Sequence, residues 1–201
     1  MRRTKEETER TRRAIIEKAV ALFLEKGFSN TTLEEIAIQA NVTRGAIYWH
    51  FKDKLDIVNE LIETEHQNLT ELLDDLFTEN LSAINKIEKI IKEVVNHFFE
   101  NDTFRDFIEL TWFKIEYTQF HRLLATKAEL TDYFIKNLTL IVREARKLGK
   151  IRDGMSDLDI ALTITNMING MYRMYFILPD QINTKEEAMS SFYSYLRLIK
   201  T

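Results

Sequence analysis

The chain has 201 residues, 45% hydrophobic, 30% charged and 11% aromatic, with a formal net charge of −4 and no cysteine. That composition belongs to an ordered globular chain able to bury about 70% of the surface its unfolded form exposes. The missing thiols exclude disulfide frameworks, thiolate nucleophiles and sulfur-ligated zinc.

One proline, five glycines and no long apolar–polar alternation predict helices throughout. Ile15, Ala19, Leu22 and Phe23 recur at three and four and line a first helix, which Gly27 ends by taking a positive φ. Thr32 and Glu35 form a T-x-x-E capping box for a second helix, whose inner face is Leu33, Ile36, Ala37 and Ala40. After the turn Ala40-Asn41-Val42, Thr43 caps a short third helix ending near His50. Asp53 caps a fourth helix from about Lys54 to Phe77, and a fifth runs from about Ala83 to Phe99. A sixth opens at Asn101–Thr103 and ends near Phe120; a seventh occupies about Lys127 to Gly149. Ser156 and Asp157 cap an eighth, to about Ile177 before Pro179, and Thr184 and Glu187 box a ninth ending near Ile199. Nine helices with short connections make an all-α chain.

The charged opening from Met1 to Glu7 is expected not to be a signal peptide. The most apolar run, Ile160 to Leu178, is too interrupted by polar residues to span a bilayer. No membrane partner is expected, and the cytoplasm is the expected compartment. Residues 1–55 carry eleven Lys and Arg against eight Asp and Glu, whereas the rest carries seventeen against twenty-four. The split suits an N-terminal module that meets a polyanion, although solvated helix faces often show such an excess.

The informative stretch is Thr32 to Lys54. Two short helices joined by a three-residue turn bury little between themselves and make sense as a helix-turn-helix on the first helix, locked by Ala37, Val42 and Ile47. Ala46, Ile47 and Phe51 face inward, leaving Thr43, Arg44, Gly45, Tyr48, Trp49 and His50 outward. Hydroxyls bind phosphate, arginine reads guanine, and aromatic edges touch sugar or thymine methyl. Gly45 costs its helix about 1 kcal/mol relative to alanine, a cost explained by close backbone approach to a phosphate or base. Lys54 adds a cation at the start of the fourth helix, where phosphate already binds well. Singly these residues have plainer readings: half-buried packing for Tyr48 and Trp49, and a structural histidine for His50.

Together they are specific. The run Val42-Thr43-Arg44-Gly45-Ala46-Ile47-Tyr48-Trp49-His50-Phe51-Lys52-Asp53-Lys54, after Glu35-Ile36-Ala37, resembles the TetR family of bacterial regulators, and within it the AcrR-type repressors of multidrug efflux. The specific similarity covers about residues 8–62. It implies a nine-helix TetR-like fold, with a helix-turn-helix DNA-binding domain at 8–55, extending to about 68, and a helical ligand-binding and dimerisation domain at 56–201. It makes Thr43, Arg44, Gly45, Tyr48, Trp49 and His50 the DNA-facing set, with Thr32 and Lys54 as phosphate contacts. The implied function is sequence-specific transcriptional regulation by a ligand-released repressor of an efflux or stress-response operon. The partners are a pseudo-palindromic double-stranded DNA operator, a second copy of the chain as homodimer, and a small hydrophobic or cationic drug-like effector. The alternative is a DNA-binding regulator without an inducer, constitutive or acting through a protein partner. No cofactor or metal is expected, and scattered histidines without a phosphate loop or metal-ligand pair argue against an enzyme.

The eighth helix is apolar around much of its circumference, so one part should face its own subunit and another a partner. Family resemblance implies dimerisation through the last two helices, which nominates Met171, Tyr172, Tyr175, Phe192, Tyr195, Leu196 and Ile199. Gly170 suits a close crossing of two chains or, equally, packing within one. A ligand pocket is implied among the aromatic-rich middle helices, with Phe98, Trp112, Phe113, Tyr117, Phe120 and Phe134 as walls. Glu116, Asn137, Asn166 and Asn169 are its candidate anchors, each with a solvated or core role as the plainer reading. An inward Glu116 would favour a cationic or hydroxylated ligand over a fatty acid.

Overall fold

The computed structural model describes residues 5–115 and 121–201, without the side chains of His121 and Arg122. Among the described residues there are nine α-helices: α1 (Lys5–Lys26), α2 (Leu33–Gln39), α3 (Arg44–His50), α4 (Lys54–Thr78), α5 (Ala83–Glu100), α6 (Asp102–Glu109), α7 (His121–Lys147), α8 (Asp157–Ile177) and α9 (Lys185–Ile199). They contain no strand; one antiparallel bridge joins Ile151 to Lys200. None of these helices is long and apolar enough to cross a membrane.

Most helix starts are written locally. Thr32 Oγ1 accepts from the Glu35 N–H at 3.2 Å while Glu35 Oε2 accepts from the Thr32 N–H at 2.9 Å. The same reciprocal box joins Ser156 to Asp159 and Thr184 to Glu187. Thr43 caps α3, its Oγ1 accepting from the Ala46 N–H at 3.1 Å, and Asp53 caps α4 through the Asp56 N–H at 2.9 Å. Each such cap is worth about 1 kcal/mol over alanine. Only the sixth and seventh helices depart from expectation. α6 passes into a π-helical turn, Leu110–Lys114, and the expected end near Phe120 lies outside the described residues. α7 starts before Lys127, because buried Leu123 already belongs to its inner face.

The helices gather into two compact units, residues 1–66 with 103–126, and residues 67–102 with 127–201. In the first, Ile15, Ala19 and Phe23 of α1 are sealed from solvent together with Ile36, Ile47, Phe51, Ile57, Val58 and Phe104. In the second, α5 packs against α8 and α9. Its core is built from Ile87, Ile90, Phe98, Leu138, Val142, Ala161, Ile164 and Phe192. Each large apolar side chain withdrawn from water contributes about 1.5–3 kcal/mol.

Candidate nucleic-acid interface

The helix-turn-helix is assembled from short-range choices. Leu33, Ile36 and Ala37 turn one face of α2 inward. The chain then reverses at Asn41, which takes φ +53°, a left-handed value that asparagine tolerates and β-branched residues resist. Val42 N–H donates back to the Ala37 carbonyl at 2.9 Å and closes the turn. α3 hangs from Ile47 and Phe51, both buried.

A longer-range clamp fixes the far end of α3. The Arg12 guanidinium, from α1, makes a two-pronged pair with the Glu60 carboxylate of α4. Its Nη1 donates to the His50 carbonyl at 3.2 Å, and its centre lies 4.7 Å from the Phe51 ring centroid. One arginine therefore ties α1, α4 and the last turn of α3 together. The hydrogen bonds that Arg12 donates to the Glu60 carboxylate hold its guanidinium above the ordinary pKa, so it stays charged.

The outer face of α3 presents Thr43, Arg44, Gly45, Tyr48 (45% exposed) and Trp49 (71% exposed) to solvent, as the sequence predicts. A Cβ added to Gly45 would meet only Thr43 Oγ1, at 4.0 Å, and its φ is not positive, so nothing within the chain requires glycine there. Arg44 Nη2 sits 3.1 Å from Glu34 Oε1 of α2, and the Tyr48 hydroxyl donates to the same oxygen at 3.3 Å.

Two expected contacts are corrected, and a third meets competition. His50 does not face outward: it is 6% exposed, because the last turn of α3 rotates its ring between Trp49 and Phe51. The Lys54 ammonium is turned onto the α1–α2 connection, donating to the Phe28 carbonyl at 2.6 Å and the Ser29 carbonyl at 3.3 Å. It also sits 4.6 Å from the Phe28 ring centroid, and burial pushes it below the usual lysine range. Thr32 is exposed, yet its hydroxyl donates to Glu35 at 3.0 Å, so a phosphate must compete with the capping box. Sequence reading missed Arg12, Glu60 and Glu34. The first two are 48 positions apart and leave no local signal; Glu34 looks like any acid in a first helical turn.

The second unit holds a small open cavity with about 90 Å³ of free space. Leu69, Leu73, Val94, Leu130, Phe134 and Ile168 make its apolar wall, with Thr131, Thr165, Asn169 and Tyr172 as the polar lining. Of the expected pocket residues only Phe134 and Asn169 line it. Phe98 is buried in a ring cluster with Tyr172, Tyr175 and Phe176, Asn137 donates to the Tyr133 carbonyl at 2.9 Å, and Asn166 is exposed. Trp112 and Phe113 belong to the first unit, and Glu116, Tyr117 and Phe120 fall outside the described residues. The expected dimer set is corrected too. Met171, Tyr172, Phe192, Leu196 and Ile199 are buried within the chain, because each falls on the face of its helix that packs into the core. Tyr175 and Tyr195 are half-buried, and Leu158, Leu162, Met174, Ile177, Tyr193 and Leu198 are the exposed apolar residues of these helices. A Cβ on Gly170 would meet open space, which excludes close packing within the chain as the reason for that glycine.

Comparison with known proteins converges on one family. Residues 15–61 match the family model described as bacterial regulatory proteins, tetR family. The regulator TtgR of Pseudomonas putida is 31% identical over 187 residues, covering 91% of this chain and 88% of its own. AcrR of Shigella flexneri is 52% identical over 71 residues, 35% of this chain and 33% of its own. The crystal structure of NalD, the secondary repressor of the MexAB-OprM multidrug efflux pump in Pseudomonas aeruginosa, superimposes with a TM-score of 0.79. It is 26% identical and covers 98% of each chain. With full-length similarity to TtgR joined to an intact helix-turn-helix, this chain belongs to the TetR family and is a DNA-binding transcriptional regulator.

Proposed function

We propose that this regulator is a ligand-released repressor of an efflux or stress-response operon, working in the cytoplasm as a homodimer on a pseudo-palindromic operator. Residues 8–55, extending to about 68, form the DNA-binding part, and residues 56–201 bind ligand and dimerise. The observation that carries the reading is the outer face of α3. Thr43, Arg44, Tyr48 and Trp49 stand in solvent around a glycine that the fold itself does not need. Such a face fits the major groove, with Gly45 letting the backbone approach and the two rings lying against sugar or thymine methyl. In the dimer the two heads sit about 34–36 Å or more apart.

The efflux reading draws on the relatives, since NalD is the secondary repressor of a multidrug efflux pump. The residues lining the cavity carry no charge, so we assign the effector to neutral, hydrophobic molecules with one or two polar groups. For the dimer, the exposed apolar residues of α8 and α9, with Tyr175, Tyr195 and the open Gly170, replace those buried in the core.

The test is binding to duplexes recovered by the protein from a random library. Affinity should fall steeply with salt, and Tyr48→Ala should lower it about tenfold or more at unchanged fold. An affinity indifferent to both would sink the reading. A thermal-shift screen with hydrophobic phenols and flavonoids tests the effector, which should raise Tm and release DNA.

A further inference from the structure

The outer face of the helix-turn-helix carries a carboxylate, an odd group to turn toward a polyanion. Glu34 is half-exposed, with one oxygen engaging both the Arg44 guanidinium at 3.1 Å and the Tyr48 hydroxyl at 3.3 Å. The Arg44 guanidinium centre lies 5.7 Å from the Tyr48 ring centroid, so the three side chains form one cluster spanning α2 and α3. A negative charge here weakens the attraction for every phosphate that comes near. We propose that Glu34 is a specificity-determining positioning residue that holds Arg44 and Tyr48 in the pose that reads bases and opposes their capture by phosphate. The inference rests on the reading of α3 as the helix that enters the groove.

The discrimination follows from donor geometry. A guanidinium carries five N–H donors in a fixed fork. The Glu34 contact is made by Nη2, which leaves the rest of the fork outside that contact and able to meet the O6 and N7 acceptors of a guanine. In a complex with the right bases, Arg44 reads while Glu34 stays behind it, and the ion pair survives. On arbitrary sequence the strongest acceptor on offer is a phosphate. Reaching it pulls Arg44 from Glu34 and leaves an uncompensated carboxylate facing DNA. The ion pair is therefore kept in the specific complex and lost in the non-specific one. An exposed pair of this kind is worth roughly 1.4- to 5-fold in an equilibrium constant, and the unmasked charge adds to it.

The experiment compares wild type, E34Q, R44A and the double variant by fluorescence anisotropy. The probes are a duplex recovered by wild type from a random library and a scrambled duplex of the same length and composition. E34Q should bind the scrambled duplex roughly two- to fivefold more tightly. On the recovered duplex E34Q should bind no more tightly than wild type, so the specificity ratio falls. In the R44A background, E34Q should shift both duplexes by the same factor. Melting curves check that each variant folds. A ratio that E34Q leaves intact, or one that falls just as far without Arg44, overturns the proposal. Failure of wild type to bind either duplex sinks the DNA-binding reading, and this inference with it.

Discussion

The Arg12 guanidinium on α1 and the Glu60 carboxylate on α4 meet in a two-pronged ion pair that also holds the last carbonyl of α3. Both side chains are only part exposed, which lifts the pair above an ordinary surface bridge. Arg12→Ala should lower stability by about 1–2 kcal/mol, read from urea unfolding. Arg12→Lys keeps the charge without the fork and should recover only part of it. An Ala variant as stable as wild type would show that the clamp is idle.

Gly45→Ala should move two measurements in opposite directions. Helix propensity favours the alanine by about 1 kcal/mol, and the new methyl group meets nothing closer than 4.0 Å, so Tm should rise. Duplex affinity should drop about tenfold, because the methyl stands where backbone and DNA approach. A variant that gains stability and keeps its affinity would remove the reason offered for this glycine.

Neighbouring Trp49 and His50 should behave as opposites. Trp49 is 71% exposed, so Trp49→Ala should leave stability within about 0.5 kcal/mol while costing about 1–3 kcal/mol of DNA binding. His50 is 6% exposed and packed beside Trp49 and Phe51, so His50→Ala should destabilise by about 1–3 kcal/mol. Paired melting and binding curves decide it; equal melting temperatures for the two variants would contradict the burial.

The capping box at α2 should make stability depend on pH. Hydrogen bonds from Lys26, then from the Thr32 backbone and hydroxyl, hold Glu35 down at about 2, against an ordinary value of 4.5. The folded value lies below the unfolded one, so this contribution is complete above about pH 5 and is lost as pH falls from about 4.5 toward 2. Glu35→Gln should therefore melt below wild type at neutral pH, with the gap closing through that window. A gap constant with pH would show that the ionised carboxylate contributes nothing.

What the sequence made legible was whatever is settled within a few residues. Thr32 with Glu35, Thr43, Asp53, Ser156 and Thr184 each sit beside the backbone groups they satisfy, so the helix starts could be placed from spacing alone. The outward set on α3, apart from His50, was legible for the same reason, since Ile47 and Phe51 fix the face opposite. Contacts that cross the chain were not. Arg12 finds its partner 48 positions away, and Lys54 reaches back 26 to the Phe28 carbonyl. On α8, apolar residues occur on several sides, so periodicity could not say that Tyr172 turns inward while Leu162 stays out. The cavity depends on which walls fail to meet, a property no single helix encodes.

The stowed ammonium of Lys54 bears on how the regulator travels. A head that commits one of its cations to its own α1–α2 connection displaces fewer counterions when it lands on arbitrary duplex, by about 0.9 in the salt slope for each phosphate left uncontacted. In the proposed dimer the saving doubles. Weaker non-specific attraction of that kind shortens the stay on wrong sequence and leaves more time for sampling new stretches.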